Sequence, residues 1–397
     1  MSGRRDNGEK AAIYFNAAGI ANALGADWDN VSRNLFAASA EGLSQRTTLD
    51  DGRSVPVGAL GFSLPELRGP LVQWESRNNR LVLHCLGQIE TEIALAREKY
   101  GPSRLAVVIG TSTSGIRRSE DALSYREETG RWPDDYRFAR QELGDTAAFA
   151  AAVIGAEGPS FSVSTACTSG AKALASAARL LRSGLCDAVV AGGVDTLCRL
   201  TLNGFSVLDS VSDERCNAFS VNRKGINLGE GGALFLLTRE EAALRLAGYG
   251  ESVDAHHMSA PDPKGGGARL AITRALESAG ITSSDISYVN LHGTATRLND
   301  AMEALVTNEI FGPDAPCSST KTLTGHLLGA AGSTEAAFVA MALESGLAPP
   351  QIWDGENDPA LPKLRLVDEV GTPAGGAFMM SCSYAFGGNN TALILAR

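Results

Sequence analysis

Short apolar, β-prone runs alternate with longer stretches of helical spacing along nearly the whole chain. The pattern predicts strands at 13–20, 105–110, 161–165, 188–192 and 233–238, and helices around 78–98, 144–155 and 170–184. From about residue 245 a second series begins, with strands near 287–292 and 376–384 and helices near 267–279 and 333–346. Such alternation predicts layered α/β units. Two segments, 162–184 and 317–346, read as equivalent pieces of an internal duplication. Each runs from a strand through Ser/Thr-rich residues into an Ala-rich helix that ends near Ser-Gly. The halves are therefore placed at 1–245 and 246–397. No low-complexity linker separates them, so one compact body is expected. Segment 113–145 is rich in charge and aromatics (Arg117, Arg118, Trp132, Tyr136) and reads as a cap-like insertion in the first half.

Three of these strand-to-helix passages carry candidate chemistry. In Phe161-Ser-Val-Ser-Thr-Ala-Cys-Thr-Ser-Gly170 an apolar run stops at Cys167, directly before a helical stretch. A thiol delivered to a helix start meets free backbone N–H groups and the positive end of the helix dipole, which favour thiolate. A buried structural cysteine is the alternative, since most cysteines are that. Tyr288-Val-Asn-Leu-His-Gly-Thr-Ala-Thr-Arg-Leu-Asn-Asp300 sets His292 at a strand end before a polar loop. Ser318-Ser-Thr-Lys-Thr-Leu-Thr-Gly-His-Leu-Leu-Gly-Ala-Ala-Gly-Ser-Thr-Glu335 sets Lys321 and His326 at another loop-to-helix passage. The chain has 5 histidines, and His84, His256 and His257 lie in no comparable setting.

Composition narrows the class. Hydrophobic residues at 44% and charged residues at 20% are ordinary for a globular chain of 397 residues. The 44 glycines suit tight strand-to-helix turns. A net charge of −10 argues against nucleic-acid binding. The 7 cysteines are scattered without paired spacing, which argues against a disulfide framework. No Cys-x-x-Cys or His-x-x-x-His pair appears, so no metal site is expected. Arg4 and Arg5 precede an apolar run at 11–24 that resembles a signal peptide, yet Asn16, Gly19 and Asn22 interrupt it, and a strand and turn fit better. No apolar stretch reaches the ~18 residues needed to span a bilayer as a helix. A cytoplasmic enzyme without membrane insertion is expected.

Together the three blocks resemble the signatures of the β-ketoacyl-acyl-carrier-protein synthases, the elongating condensing enzymes of fatty acid and polyketide synthesis. Those signatures are Thr-Ala-Cys, then His-Gly-Thr-x-Thr-x-x-x-Asp, then Lys-x-x-x-Gly-His-x-x-Gly-Ala-Ala-Gly. Ala191-Gly-Gly-Val-Asp195, Gly225-Ile-Asn-Leu-Gly-Glu-Gly-Gly232 and Tyr384-Ala-Phe-Gly-Gly-Asn-Asn390 extend the resemblance, which runs from about residue 13 to the C-terminus. It implies a thiolase-like fold, two similar halves in five α-β-α-β-α layers with the site between them. It implies decarboxylative condensation of a malonyl-carrier with an acyl-carrier through an acyl-Cys167. The oxyanion would be held by the N–H groups of Cys167 and Phe386, and the enolate by His292 and His326.

The resemblance assigns further roles. Lys321 and Glu335 would form an ion pair that holds His326 and tunes the site, with direct proton transfer as the alternative. Thr294, Thr296 and Asp300 would set a loop or touch the pantetheine arm. Gly387 and Gly388 would let Phe386 swing, and its ring would gate acyl entry, with a plain core aromatic as the alternative. No cofactor beyond the carrier's phosphopantetheine is implied. The implied partners are an acyl carrier protein, met at a local basic patch, and a second subunit. That subunit is either a copy of the chain or a homologous chain-length factor, paired through 161–165. A chain-length factor would lack Cys167, and a degradative thiolase would carry a second catalytic cysteine where Cys382-Ser-Tyr384 stands. The family's Arg-Pro-Phe-Asp is replaced around Cys216-Asn-Ala-Phe-Ser220, its Gly-Phe-Val by Gly225-Ile-Asn227, and its Gly-Gly-Thr-Asn by Gly387-Gly-Asn-Asn390. With Cys198-Arg-Leu-Thr-Leu-Asn-Gly-Phe205, these departures resemble the synthases of aryl-polyene pigment clusters. Ile226 then gives the acyl pocket space that a phenylalanine would fill.

Overall fold

The computed structural model describes residues 11–397, so Arg4 and Arg5 lie outside the described residues. Its strands are β1 (Tyr14–Asn22), β2 (Gln45–Thr48), β3 (Ser54–Val57), β4 (Leu105–Gly110), β5 (Ser160–Val163), β6 (Ala188–Asp195), β7 (Gly231–Thr238), β8 (Leu244–Val253), β9 (Ile286–Asn290), β10 (Pro316–Ser318), β11 (Arg365–Leu366), β12 (Phe378–Tyr384) and β13 (Asn389–Ala396). The α-helices are α1 (Trp28–Phe36), α2 (Arg77–Gly87), α3 (Glu90–Tyr100), α4 (Ile116–Thr129), α5 (Gly144–Ile154), α6 (Ser169–Arg182), α7 (Arg199–Val207), α8 (Gly266–Ala279), α9 (Arg297–Phe311), α10 (Lys321–Thr324) and α11 (Ala331–Ser345). None is long and apolar enough to cross a membrane.

Alternation along the strands sets the layers. Ala106 and Val108 of β4, Val189 and Ala191 of β6, and Phe235 and Leu237 of β7 enter one central core. Met379 of β12 and Leu393 and Leu395 of β13 enter it from the other side, and α6 and α11 fill it. The opposite faces bury Leu105, Val107 and Ile109 against α2, α3 and α5, and Met380, Ala392 and Ile394 against α8 and α9. Helices, sheet, paired helices, sheet and helices make the five layers the resemblance implies. At the centre, a Cβ on Gly170 of α6 would lie 2.8 Å from Ser333 Oγ of α11, and one on Gly332 would lie 2.7 Å from Ala171 Cβ. Only residues this small let the two helices meet backbone to backbone.

Hydrogen bonding joins all the sheet strands except β2 and β3 in the order β11-β10-β9-β12-β13-β8-β1-β7-β6-β4-β5. Two register pairs, Tyr14↔Arg245 and Phe15↔Leu244, carry the β1–β8 junction. On one side β5, β4 and β6 are parallel and β7 and β1 follow antiparallel. On the other side β10, β9 and β12 are parallel and β13 and β8 follow antiparallel. The same succession on both sides is the duplication in structural form. Among the described residues β5 is an edge that pairs with β4 alone, and Phe161 on it is 40% exposed.

Several elements depart from the sequence pattern. The helix expected at 78–98 is two helices, because Gln88 bonds both backbone groups of Ile20 and the carbonyl of Ala26, which anchors the chain to β1 at the break. The cap-like segment is α4 followed by a 3-10 turn at Phe138–Gln141, with Trp132 stacked on Tyr136 at 4.2 Å. β8, β13 and α9 were not marked by the pattern.

Candidate active site

After β5 the chain reverses sharply at Ala166, whose φ is +52°, a left-handed conformation that costs a residue with a Cβ. Hydroxyls hold this turn. Ser169 Oγ donates to the Ala166 carbonyl at 2.6 Å and accepts from Thr165 N–H at 2.9 Å, and Thr168 Oγ1 donates to the Thr165 carbonyl at 2.8 Å. Cys167 is thereby presented beside the start of α6, 6% exposed, against a cavity of about 480 Å³.

His326 and His292 reach the same cavity from the second half. The His326 backbone is stitched to 227–229 by its N–H to Asn227 O at 2.7 Å and its carbonyl to Gly229 N–H at 3.0 Å. Its Nε2 lies 2.9 Å from Cys167 Sγ, and its Nδ1 has no hydrogen-bond partner among the described residues. His292 follows β9, and its ring centre is 5.3 Å from that of His326 at 87°. Lys321 Nζ sits 3.2 Å from His292 Nδ1 and pairs with Glu335, with both side chains buried. This corrects the expected role of the pair, which holds His292 and not His326. Lys321 opens α10 and His326 follows its end, after the left-handed turn of Gly325 (φ +73°), so the two side chains enter the site separately.

Burial sets the electrostatics. Both imidazoles are held well below the usual histidine range, by burial first and then by the Lys321 cation. Burial pushes Glu335 up to about 7 against the pull of Lys321. Burial also pushes the Cys167 thiol up to about 12, opposed by Lys321 and by the backbone N–H groups of Phe386 and Cys167. The resting group is thus a thiol beside a neutral imidazole. The thiolate expected from the helix start alone is overridden by the loss of water.

Phe386 occupies the turn between β12 and β13, where Gly387 and Gly388 both have left-handed φ (+81° and +75°). Its ring stacks on Phe205 of α7, with centroids 5.5 Å apart. Ile226, 3% exposed, Thr294 and Thr296 also line the cavity, and the two threonine hydroxyls are 2.9 Å apart. Asp300 is buried beneath the loop and accepts from Phe219 N–H at 2.8 Å and Ala295 N–H at 3.1 Å. His84 bonds the Ala26 carbonyl, and His256 and His257 are exposed outside the cavity. Cys382 of β12 faces the outer core and does not line the cavity, so it offers no second thiol there.

Two carboxylates escaped the sequence reading. Glu303 accepts from the N–H groups of His292 at 2.6 Å and Gly293 at 2.7 Å, and burial pushes it up to about 8. Its only sequence signal is a place near one helical turn beyond Asp300. Asp195 accepts from Thr111 Oγ1, from the N–H groups of Ser112 and Thr113, and from Gly329 N–H at 2.6 Å, so it ties the first half to the loop after His326. It stands in a quoted block, but nothing in the pattern marked its role.

Sγ of Cys167 and one nitrogen from each histidine lie within 4.8 Å of one another, a set that could ligate a soft ion such as zinc. The groups behind them do not fit a metal. A ligating histidine normally donates its other ring N–H to an acceptor, whereas His292 Nδ1 faces an ammonium and His326 Nδ1 faces no partner. The arrangement suits nucleophilic chemistry better, with a thiol, an adjacent base, a second imidazole of fixed orientation and backbone donors at one point.

Residues 78–243 match the family model described as beta-ketoacyl synthase, N-terminal domain, and residues 244–353 match its C-terminal domain. A 3-oxoacyl-(acyl-carrier-protein) synthase 2 of Rhizobium meliloti is 38% identical over 259 residues, covering 60% of this chain and 61% of the relative, so the match spans less than two thirds of it. The ketoacyl synthase alpha subunit of the tetracenomycin polyketide synthase of Streptomyces glaucescens is 34% identical, with 81% of each chain covered. A solved ketosynthase in complex with its chain length factor, from Xenorhabdus doucetiae, superposes with a TM-score of 0.93 at 44% identity over 100% of both chains.

Proposed function

Because the chain belongs to the beta-ketoacyl synthase family, we propose that Cys167 and the two histidines condense a malonyl-carrier with an acyl-carrier, lengthening the acyl chain by two carbons. Cys167 Sγ attacks the acyl thioester while its proton passes to His326 Nε2. The oxyanion is met by the N–H groups of Cys167 and Phe386. Collapse expels the carrier's thiolate, which takes that proton and leaves Cys167 acylated.

The malonyl thioester then enters. Lys321 donates to His292 Nδ1, so His292 carries its own proton on Nε2 and presents it to the malonyl thioester oxygen. Once acylation has taken Sγ out of its reach, exchange with solvent moves the proton of neutral His326 from Nδ1 to Nε2, and His326 joins as a second donor. Loss of CO2 leaves an enolate, whose carbon attacks the acyl-Cys167 carbonyl. The expelled Cys167 thiolate regains a proton through His326, replaced from solvent. Both substrates arrive on phosphopantetheine, with Thr294 and Thr296 beside the arm, and no further cofactor enters any step.

The 2.9 Å approach of His326 Nε2 to Cys167 Sγ carries this reading. Intact mass after incubation with acyl-carriers tests it: the wild type should gain one acyl group and Cys167→Ala none. No acyl adduct on the wild type with any carrier offered would overturn it.

We assign the chain to the cytoplasm and to conjugated, aryl-bearing chains of the pigment type. Ile226 in the cavity wall and the 44% identity with the Xenorhabdus ketosynthase support the second assignment. The chain length factor bound to that neighbour supports a homologous chain-length-factor subunit as the partner here, in preference to a second copy.

A further inference from the structure

The two backbone donors at Cys167 come from opposite halves. One belongs to Cys167 at the start of α6, and the other to Phe386 in the β12–β13 turn. Their separation decides whether both can meet one oxygen. Three contacts hold the turn from the far side: Gly387 N–H to Met258 O at 2.7 Å, Asp254 N–H to Gly388 O at 2.8 Å, and Asn390 Nδ2 to Asp254 Oδ1 at 2.7 Å. On the side facing α6, Lys172 Nζ donates to Asn389 Oδ1 at 2.6 Å.

Both ends of that bond are well placed to transmit position. Lys172 lies in the first turn of α6, with its own N–H on the Thr168 carbonyl at 2.9 Å. Asn389 closes the hairpin turn, its carbonyl accepting from Ala385 N–H at 2.8 Å. Both residues are half-buried, so water competes weakly for either end. Asn389 is also a point where this chain departs from the family pattern.

We propose that Lys172 and Asn389 are positioning residues, a strut that sets the spacing between the Cys167 and Phe386 N–H groups and so governs acyl transfer to Cys167. This rests on the acyl-Cys167 reading above. The strut touches neither imidazole, so it should act on one half-reaction and leave the other alone.

The test measures both half-reactions in the intact protein: acyl-Cys167 formation by intact mass over time, and CO2 release from malonyl-carrier. Lys172→Met and Asn389→Ala should each slow acylation about tenfold, less than the loss expected for deleting an oxyanion donor outright. CO2 release should stay within about twofold of wild type, and the double variant should be no slower than either single one. Asn389→Asp keeps the acceptor and should restore the acylation rate. Equal losses in both half-reactions, unchanged acylation in Lys172→Met and Asn389→Ala, or an Asn389→Asp as slow as Asn389→Ala would each overturn the strut. A wild type that forms no acyl-enzyme would instead remove the underlying reading.

Discussion

His326 meets Cys167 through Nε2 at 2.9 Å while its Nδ1 meets no protein acceptor among the described residues, and burial holds the ring well below the usual histidine range, so the thiol's neighbour is a neutral base. A standing thiolate–imidazolium pair would need an acceptor such as a carboxylate on the far side of the ring. The pair therefore rests as thiol and imidazole, and charge separates only when substrate arrives.

Alkylation should follow from that. Iodoacetamide should label Cys167 ahead of the other six cysteines, because it alone among them lines the cavity. His326→Ala should slow the labelling by about a hundredfold, the low end of what a positioned base contributes. In that variant the rate should keep climbing with pH beyond 9, since the thiol is pushed up to about 12. Peptide mapping with time-resolved mass spectrometry reads both effects.

Lys321 should matter through His292. In Lys321→Met the His292 proton is free to move to Nδ1, leaving Nε2 as an acceptor. Decarboxylation of malonyl-carrier should then fall at least tenfold, and acylation of Cys167 should change less. Radiometric CO2 release set beside acylation time courses decides it, and equal losses would count against the Lys321–His292 contact as the active link.

The two buried imidazoles should stay neutral where a free one would protonate. A histidine in water is half-charged near pH 6.5, and both are held well below that. Their ring resonances should not titrate between pH 8 and about 6 in NMR spectra of labelled protein. As the pH falls through 6.5 the unfolded chain takes up protons that the native site refuses, so stability falls with acid, and it recovers as the pH rises above that value. Ring signals that move with a midpoint near 6.5 would contradict the burial argument.

The β5 edge should be an assembly surface. β4 uses the carbonyls of Pro159 and Val163, which leaves the backbone groups of Ser160 and Ser162 turned outward. Ser162→Pro removes one outward donor and spares the β4 bonds, a change that an edge strand tolerates. Light scattering should show subunits separating in that variant while near-ultraviolet circular dichroism stays native. An active wild-type monomer at assay concentration would reject the interface.

Ile226→Phe should narrow the cavity that Cys167 also lines. A rigid conjugated chain cannot fold round the added ring, whereas a saturated chain can. Extension of conjugated acyl-carriers should slow more than that of saturated ones of equal length. The shift in relative kcat/KM should be about tenfold, in line with ~0.8 kcal/mol per methylene over a few carbons. Equal slowing of both classes would leave the synthase chemistry intact and remove the pigment assignment.

Much of this was legible in the residues themselves. The strand at 105–110 alternates between two buried faces with no polar interruption, and Cys167, His292 and His326 each stand where an apolar run meets Ser, Thr and Gly. What stayed hidden was hidden for physical reasons. α9 buries Asn299, Asp300 and Glu303, so its inward face does not look apolar. The partner of Lys321 depends on where a four-residue helix and a left-handed glycine point two side chains, which spacing cannot encode. The state of the Cys167 proton depends on how much water the finished fold removes, and no local pattern carries that.

The contact of Gly170 with Ser333 and of Gly332 with Ala171 leaves no slack between α6 and α11. Cys167 comes just before α6 and His326 shortly before α11, so the close approach of the two helices also sets how far apart the thiol and the imidazole stand. A larger side chain at either glycine would push the helices apart and carry the two reacting groups with them.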